Sequence, residues 1–334
     1  ISGGTNFSGT TINGTLQINS GGFVNTTAPT YAIGSTLKYN TGGTYGRTTE
    51  WTTTSSAGYP ANVQVSNNTI LDIGANTGGT TARQISGTLT IDAGSTLTMA
   101  GGTSATNSQA MSAALTVLGS VANSGTLILS GSSGGDIKVG ANWTNSGVFT
   151  TNTRSVYFIG SGTSTINNAE TFDYLIVSKT SSTVTLGAAI IVNKDLTISS
   201  TSTLDVSTSN YSLNVAGNFS NSGTFTARSG TVTLNGTGTQ IISGSTTFYN
   251  LTDVTAGATL QLTAGNTQTI SNTLTLTGAF GNLLNVSSTS AVVAFITLSA
   301  PANTAINFCN ITYPRTPLGS KMACLRQRNG LEKE

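Results

Sequence analysis

The chain has 334 residues, of which 13 are Lys or Arg and 11 are Asp or Glu, and only 7% are charged. Nucleic-acid binding requires clustered basic side chains, which a near-neutral surface argues against, and the run of about eighteen apolar residues that a membrane span requires is absent. A net charge of +2 with an apolar fraction of 37% does not fit a self-repelling disordered chain either, and the absence of any histidine removes Ser-His-Asp and Cys-His catalysis and His-ligated zinc.

Thr and Gly dominate, with 40 Gly against 5 Pro. Thr, Val, Ile and Tyr favour pleated strands while Gly and Asn supply turns, so the chain reads as all-β. In chain order, GTLQINSGGFV at 14–24 recurs as GTLTIDAGSTL at 87–97. Between them lie STLKYNTGGTYGRTTEW at 35–51 and GYPANVQV at 58–65. Here Glu50 and Trp51, with Tyr45, Tyr59 and Arg47, form a cluster that mixes aromatics and charge. Two roles suit it. Trp51 closes the first coil, its ring buried against the strands at 63–73 and Glu50 accepting from backbone N–H groups or Arg47. Alternatively Trp51, Glu50, Tyr45 and Tyr59 contact a glycan from an exposed platform. The cap is the expected role, because solenoid ends must be covered.

Further on, residues 139–177 align without a gap on residues 215–253, at an offset of 215 − 139 = 76. Asn142, Asn145, Ser146, Gly147, Phe149 and Thr150 match Asn218, Asn221, Ser222, Gly223, Phe225 and Thr226, and Phe172 and Leu175 match Phe248 and Leu251. This is an internal repeat. Within it, Asn123-Ser124-Gly125 precedes Asn145-Ser146-Gly147 by 22 residues. A period in the low twenties with two or three short strands predicts an elongated, right-handed parallel β-helix (a β-solenoid) with about three coils per repeat. Phe149 and Phe225 should then point inward three coils apart, as should Phe172 and Phe248. In Thr231-Val232-Thr233-Leu234 the two apolar residues face the interior. Asparagine at the Asn-Ser-Gly corners is expected to be left-handed and to pair its amide with the next coil. The organisation is N-terminal coils with the aromatic block at 1–70, repeat coils at 71–313 (copies 139–214 and 215–292), and an atypical basic tail at 314–334.

The block at 35–65, together with GNFSNSGTF and TFYNLT, resembles the Gly/Thr-rich repeat regions of large surface proteins that Gram-negative bacteria export by the type IX route. The resemblance extends from residue 1 to about 313. It implies a secreted β-solenoid with a cell-surface or extracellular role in attachment or matrix, and it brings no catalytic signature. The tail departs from it, reading as a fragment end, a frame slip or a cap. An export signal is expected to lie outside the chain given.

Candidate chemistry is sparse. Outside the tail the acids are Glu50, Asp72, Asp92, Asp136, Glu170, Asp173, Asp195, Asp205 and Asp253. Asp72 and Asp92 lie 20 residues apart, near one coil, but occupy the slot that Thr fills in other strands and are expected to be solvated. Glu170 and Asp173, with Lys179 nearby, correspond to Thr246 and Tyr249 in the second copy, which favours a structural role. Gly134-Gly135-Asp136 is a single calcium-turn-like element where tandem copies are needed. Cys309 and Cys324 read as free thiols. No catalytic residue, cofactor or metal is expected. The expected protein is a non-enzymatic stalk, adhesin or matrix element whose partner is a surface, glycan or protein, with self-association end to end or laterally. Carbohydrate binding or cleavage is the alternative. Ice binding by Thr-x-Thr rows (88–90, 96–98, 183–185, 231–233, 273–275) is a third, opposed by irregular spacing.

Overall fold

The computed structural model describes residues 1–52, 54–76 and 78–312. The tail at 314–334, with Cys324, lies outside the described residues. Within them most strands span two to six residues, the longest being Thr246–Asp253 and Thr267–Thr277, and there is no helix. The strands stack in parallel as a β-solenoid of about 14 turns. At roughly 4.8 Å per turn this makes a rod on the order of 65 Å long.

A typical central coil contributes three strands. One joins an eleven-stranded sheet, the next a ten-stranded sheet, and the third a five-stranded or, further on, an eight-stranded sheet. Alternation sorts the side chains. In Thr231–Leu234, Val232 and Leu234 are buried while Thr231 and Thr233 are half-buried on the outer wall. Register then piles like on like: Leu89 pairs with Val63 below and Val121 above, and Val121 with Trp143. Each fully buried side chain of this kind contributes roughly 1.5–3 kcal/mol.

The corners explain the Asn-Ser-Gly motif. The Oδ1 atoms of Asn123, Asn145 and Asn221 accept from the backbone N of Gly125, Gly147 and Gly223 at 3.2, 3.2 and 3.1 Å. Each amide also reaches the next coil, as expected, but only Asn123 Nδ2 finds another amide, Asn145 Oδ1 at 2.8 Å; Asn145 and Asn221 donate to Glu170 and Thr246. Glycine follows because a Cβ on Gly147 would lie 2.0 Å from the carbonyl oxygen of Gly125. The expected left-handed backbone is not found at these asparagines. It occurs at Asn67, Asn68, Asn76, Asn107, Asn152 and Asn210 instead, because the corner asparagines are the last residues of extended strands.

The 76-residue repeat is not a whole number of coils. Trp143–Asn145 belongs to the ten-stranded sheet, whereas its counterpart Phe219–Asn221, eleven strands later, belongs to the eleven-stranded one. Four coils of three strands would need twelve, so the second copy is turned by one face rather than stacked three coils above the first. Inward positions survive the turn. Trp143, Phe149 and Phe172 meet with ring centroids 4.8, 5.9 and 6.3 Å apart. Phe219, Phe225 and Phe248 repeat that triad at 5.5, 5.3 and 5.9 Å. Both copies break the wall at the same point. Val148–Thr150 is the last strand of the five-stranded sheet and its counterpart Thr224–Thr226 the last of the ten-stranded one. A left-handed residue follows each, Asn152 (φ 48°) and Arg228 (φ 43°). Strand and corner form a local unit that bonds alike on any face, since every face looks onto the same apolar column.

Candidate functional site

The N-terminal cluster faces inward. Trp51 and Glu50 are both 0% exposed, so neither offers a sugar any surface, and the glycan-contact reading fails for this pair. Trp51 does not close the first coil either. It lies between the strands Thr44–Gly46 and Asn62–Val65, coils away from the N-terminal edge. Its Nε1 donates to the Gln84 carbonyl at 3.0 Å, and Arg83 Nη1 donates to the Thr52 carbonyl at 3.1 Å. Arg83–Ile85 is the first strand of the eleven-stranded sheet. The segment around Trp51 therefore runs beneath that strand and covers an open sheet edge.

A buried polar cluster fixes this segment. Arg47 donates to the carbonyls of Ile73, Thr48, Trp51 and Ala75 at 2.9–3.2 Å, and burial pushes its pKa down. Glu50 accepts from the backbone N of Thr48 at 2.9 Å and the Tyr39 hydroxyl at 3.1 Å, and also from Thr48 Oγ1. Burial, reinforced by the Glu50 charge, holds the phenols of Tyr31, Tyr39 and Tyr45 well above their usual range. Tyr45 is half-buried, its ring centroid 5.4 Å from that of Tyr39. Tyr59 stands apart, its hydroxyl accepting from Gln84 Nε2 at 2.9 Å.

The other acids are structural acceptors as well. Asp72 is not solvated: at 0% exposure it accepts from Thr103 Oγ1 (2.6 Å), Ser108 Oγ (2.5 Å) and Gly74 N (3.0 Å). It belongs to the five-stranded sheet, while Asp92 follows a strand of the ten-stranded sheet and accepts from Gln64 Nε2 at 2.8 Å. Asp136 and Asp195 each accept one backbone N–H from the next coil, those of Ser155 (2.9 Å) and Asn218 (2.7 Å). Glu170 accepts from Trp143 Nε1 and Asn145 Nδ2, both at 2.8 Å, and burial raises its pKa. Asp173 instead accepts from Thr151 Oγ1 and, at 2.9 Å, from Thr153 N, so the two acids serve different corners. Asp205 pairs with Arg228 in a forked contact that lowers the carboxyl pKa. Among the described residues no group of three or more His, Cys, Asp or Glu could hold a metal. Cys309 is half-buried and unbridged, and burial raises its thiol pKa.

Lys179 is 2% exposed, and its Nζ donates to the carbonyls of Gly140 and Ile159, each at 2.7 Å. Desolvation lowers its pKa from 10.5 to about 8. The folded chain therefore binds this proton more weakly than the unfolded one. The resulting penalty is complete below about pH 8 and is relieved as pH rises toward 10.5. Lys179→Met is expected to remove this dependence, so the stability difference, wild type minus variant, should grow between pH 8 and 9.5 in urea titrations. A difference that stays flat or shrinks would contradict it.

The outer wall holds a feature that none of the sequence motifs marks. On the eleven-stranded sheet, Ser155 pairs with Tyr174 and Tyr157 with Ile176 in the next coil. Val156, Phe158, Leu175 and Val177 point inward, so both tyrosines face out, half-buried. Lys138, paired with Tyr157 from the coil below, sets its Nζ 5.7 Å from the centre of that ring. Asp136 and Asp195 flank the patch, each with one carboxylate oxygen bound to the wall. The strand alternation Val-Tyr-Phe at 156–158 was the available signal. The Thr-x-Thr pairs, by contrast, spread over three sheets: 88–90 and 183–185 run along the ten-stranded sheet, 96–98 along the five-stranded sheet, and 231–233 and 273–275 along the eight-stranded one. Beside this, a shallow groove of about 360 Å³ runs along the start of the eight-stranded sheet, past Glu170, Ile191 and Asn214.

No protein-family model, no curated protein and no solved structure matches this chain.

Proposed function

We propose that the chain is a non-enzymatic solenoid of the cell surface or extracellular space, acting as a stalk, adhesin or matrix element. One observation carries this reading. The acids that could have served catalysis are committed to the wall: Asp72, Asp136, Asp195 and Glu170 each accept hydrogen bonds that tie coils together. A carboxylate bound to fixed backbone and side-chain donors stabilises the stack and is poorly placed to pair with a second acid across a substrate. The mechanism is mechanical. Continuous backbone ladders make a stiff rod, and its outer residues, which the ladder does not use, are free to vary.

Purified protein should release no reducing ends or unsaturated products from polygalacturonate, alginate, xylan or chitin. Asp72→Ala should instead lower thermal stability, since it leaves two half-buried hydroxyls and the buried Gly74 N–H without this acceptor. Turnover that disappears in Asp72→Ala or Asp92→Ala would overturn the non-enzymatic reading. Antibody labelling of intact, unpermeabilised source cells tests the location, and labelling seen only after permeabilisation would refute it.

A further inference from the structure

The internal repeat provides a control for what the fold requires. Inward positions agree between its copies: Phe149 with Phe225, Phe172 with Phe248, Leu175 with Leu251, all packed in the core. Outward positions of the patch do not agree. Tyr157, Tyr174, Ile176 and Lys138 correspond, at the 76-residue offset, to Thr233, Asn250, Thr252 and Asn214. The second copy builds the same strands and the same aromatic triad with small polar residues there. Large aromatic side chains on the outer face of the first copy are therefore not needed for folding. Exposed aromatic surface also carries a hydration cost that Thr and Asn avoid.

We propose that this patch is a binding platform for a neutral polysaccharide chain, with Tyr157 and Tyr174 as stacking surfaces. One strand spacing along the rod and a two-residue offset along the strand set the two tyrosines roughly 8 Å apart, diagonally across the wall, so one extended ligand meets both. The apolar faces of sugar rings stack on aromatic rings, while their hydroxyls need both acceptors and donors. Both kinds of group are present. The second carboxylate oxygens of Asp136 and Asp195 accept, and the tyrosine hydroxyls, which make no hydrogen bond among the described residues, do either. Lys138 sits over Tyr157 and offsets one of the two acids, so no strong field selects an ionic ligand. The face is a flat wall, which encloses no small molecule and suits a polymer that accumulates contacts along its length. This proposal rests on the scaffold reading above and adds a ligand class to it.

The test uses the full 334-residue chain in native affinity electrophoresis through gels containing hydroxyethylcellulose, laminarin or galactomannan, with polygalacturonate as the anionic comparison. The variant is Tyr157→Thr with Tyr174→Asn, which installs the residues of the second copy. At least one neutral polymer should retard the wild type, and the double variant should lose about tenfold or more in affinity with an unchanged melting temperature. Lys138→Ala should weaken retardation only slightly. Failure of all three neutral polymers to retard the wild type would overturn the platform. So would retardation by polygalacturonate alone, or retardation that the double variant retains. A melting temperature that falls sharply in the double variant would show the tyrosines to be structural, again overturning it. None of these outcomes touches the scaffold reading, which stands or falls on surface labelling and on the absence of turnover.

Discussion

Trp51→Ala is expected to destabilise the N-terminal coils by about 3–5 kcal/mol, the range for emptying a buried aromatic site. The ring is fully buried, and its N–H is bonded to the Gln84 carbonyl on the first strand of a sheet. Removing it empties the core beneath that strand and frees the edge it covers. Because coils stabilise one another mainly through their neighbours, the loss should be local. Hydrogen exchange should therefore accelerate at residues 83–85 and in the adjoining coils. Amides at 213–215, several coils further along the rod, should keep their protection. Trp51→Phe should recover most of the loss, failing only by the hydrogen bond, on the order of 1 kcal/mol. Protection at 83–85 that is unchanged in Trp51→Ala would show that the segment does not support the sheet.

The second large effect is a coupling. In the first copy the Trp143 indole N–H and the Asn145 amide both donate to Glu170. In the second copy Phe219 replaces the tryptophan, and Asn221 donates to Thr246 Oγ1 at 3.0 Å. The carboxylate thus accompanies the indole, and a hydroxyl suffices without it. Glu170→Thr should cost about 1–3 kcal/mol, because a buried indole N–H loses its acceptor. Trp143→Phe should cost a similar amount, because a partly buried carboxylate loses a donor. The double variant reproduces the second copy and should be close to wild type, which gives a favourable coupling of about 0.5–3 kcal/mol in a double-mutant cycle. Strict additivity would refute the pairing. The cycle also depends on pH. Burial holds the folded pKa of Glu170 above its ordinary value, so its charged form is penalised above that pKa and the penalty is relieved as pH falls through it. Trp143→Phe removes a donor to the charged form and should raise that pKa further.

Much of this architecture could be read directly from the residues. Two-residue alternation in Thr-Val-Thr-Leu placed each side chain on a face, because a strand has no other way to separate apolar from polar groups. The recurrence of Asn-Ser-Gly marked the corners, since only glycine tolerates a carbonyl 2.0 Å from where its Cβ would be. The ungapped repeat matched Phe149 with Phe225 and Phe172 with Phe248, two of the three rings of each triad, and the loss of Glu170 and Asp173 in the second copy pointed to structural roles. The single acids could not be placed in the same way. Asp72 occupies a threonine slot in its strand, yet it is buried by hydroxyls from 103 and 108 that local alternation does not reveal.

What the sequence determined by itself was periodic and local: strands, corners, inward and outward faces, and the equivalence of two stretches 76 residues apart. Tertiary structure decided how those units are phased around the rod. Coil length varies, as the successive partners Ile137, Val156, Leu175, Leu196 and Phe219 show, and eleven strands carry the repeat onto a neighbouring face. The same phasing set Trp51 beneath the edge of a sheet that begins only at Arg83, and it brought Tyr157 and Tyr174 together on one wall. A strand's local sequence fixes which way its side chains point, but its neighbours are the strands one coil away, and the summed length of the intervening corners selects them.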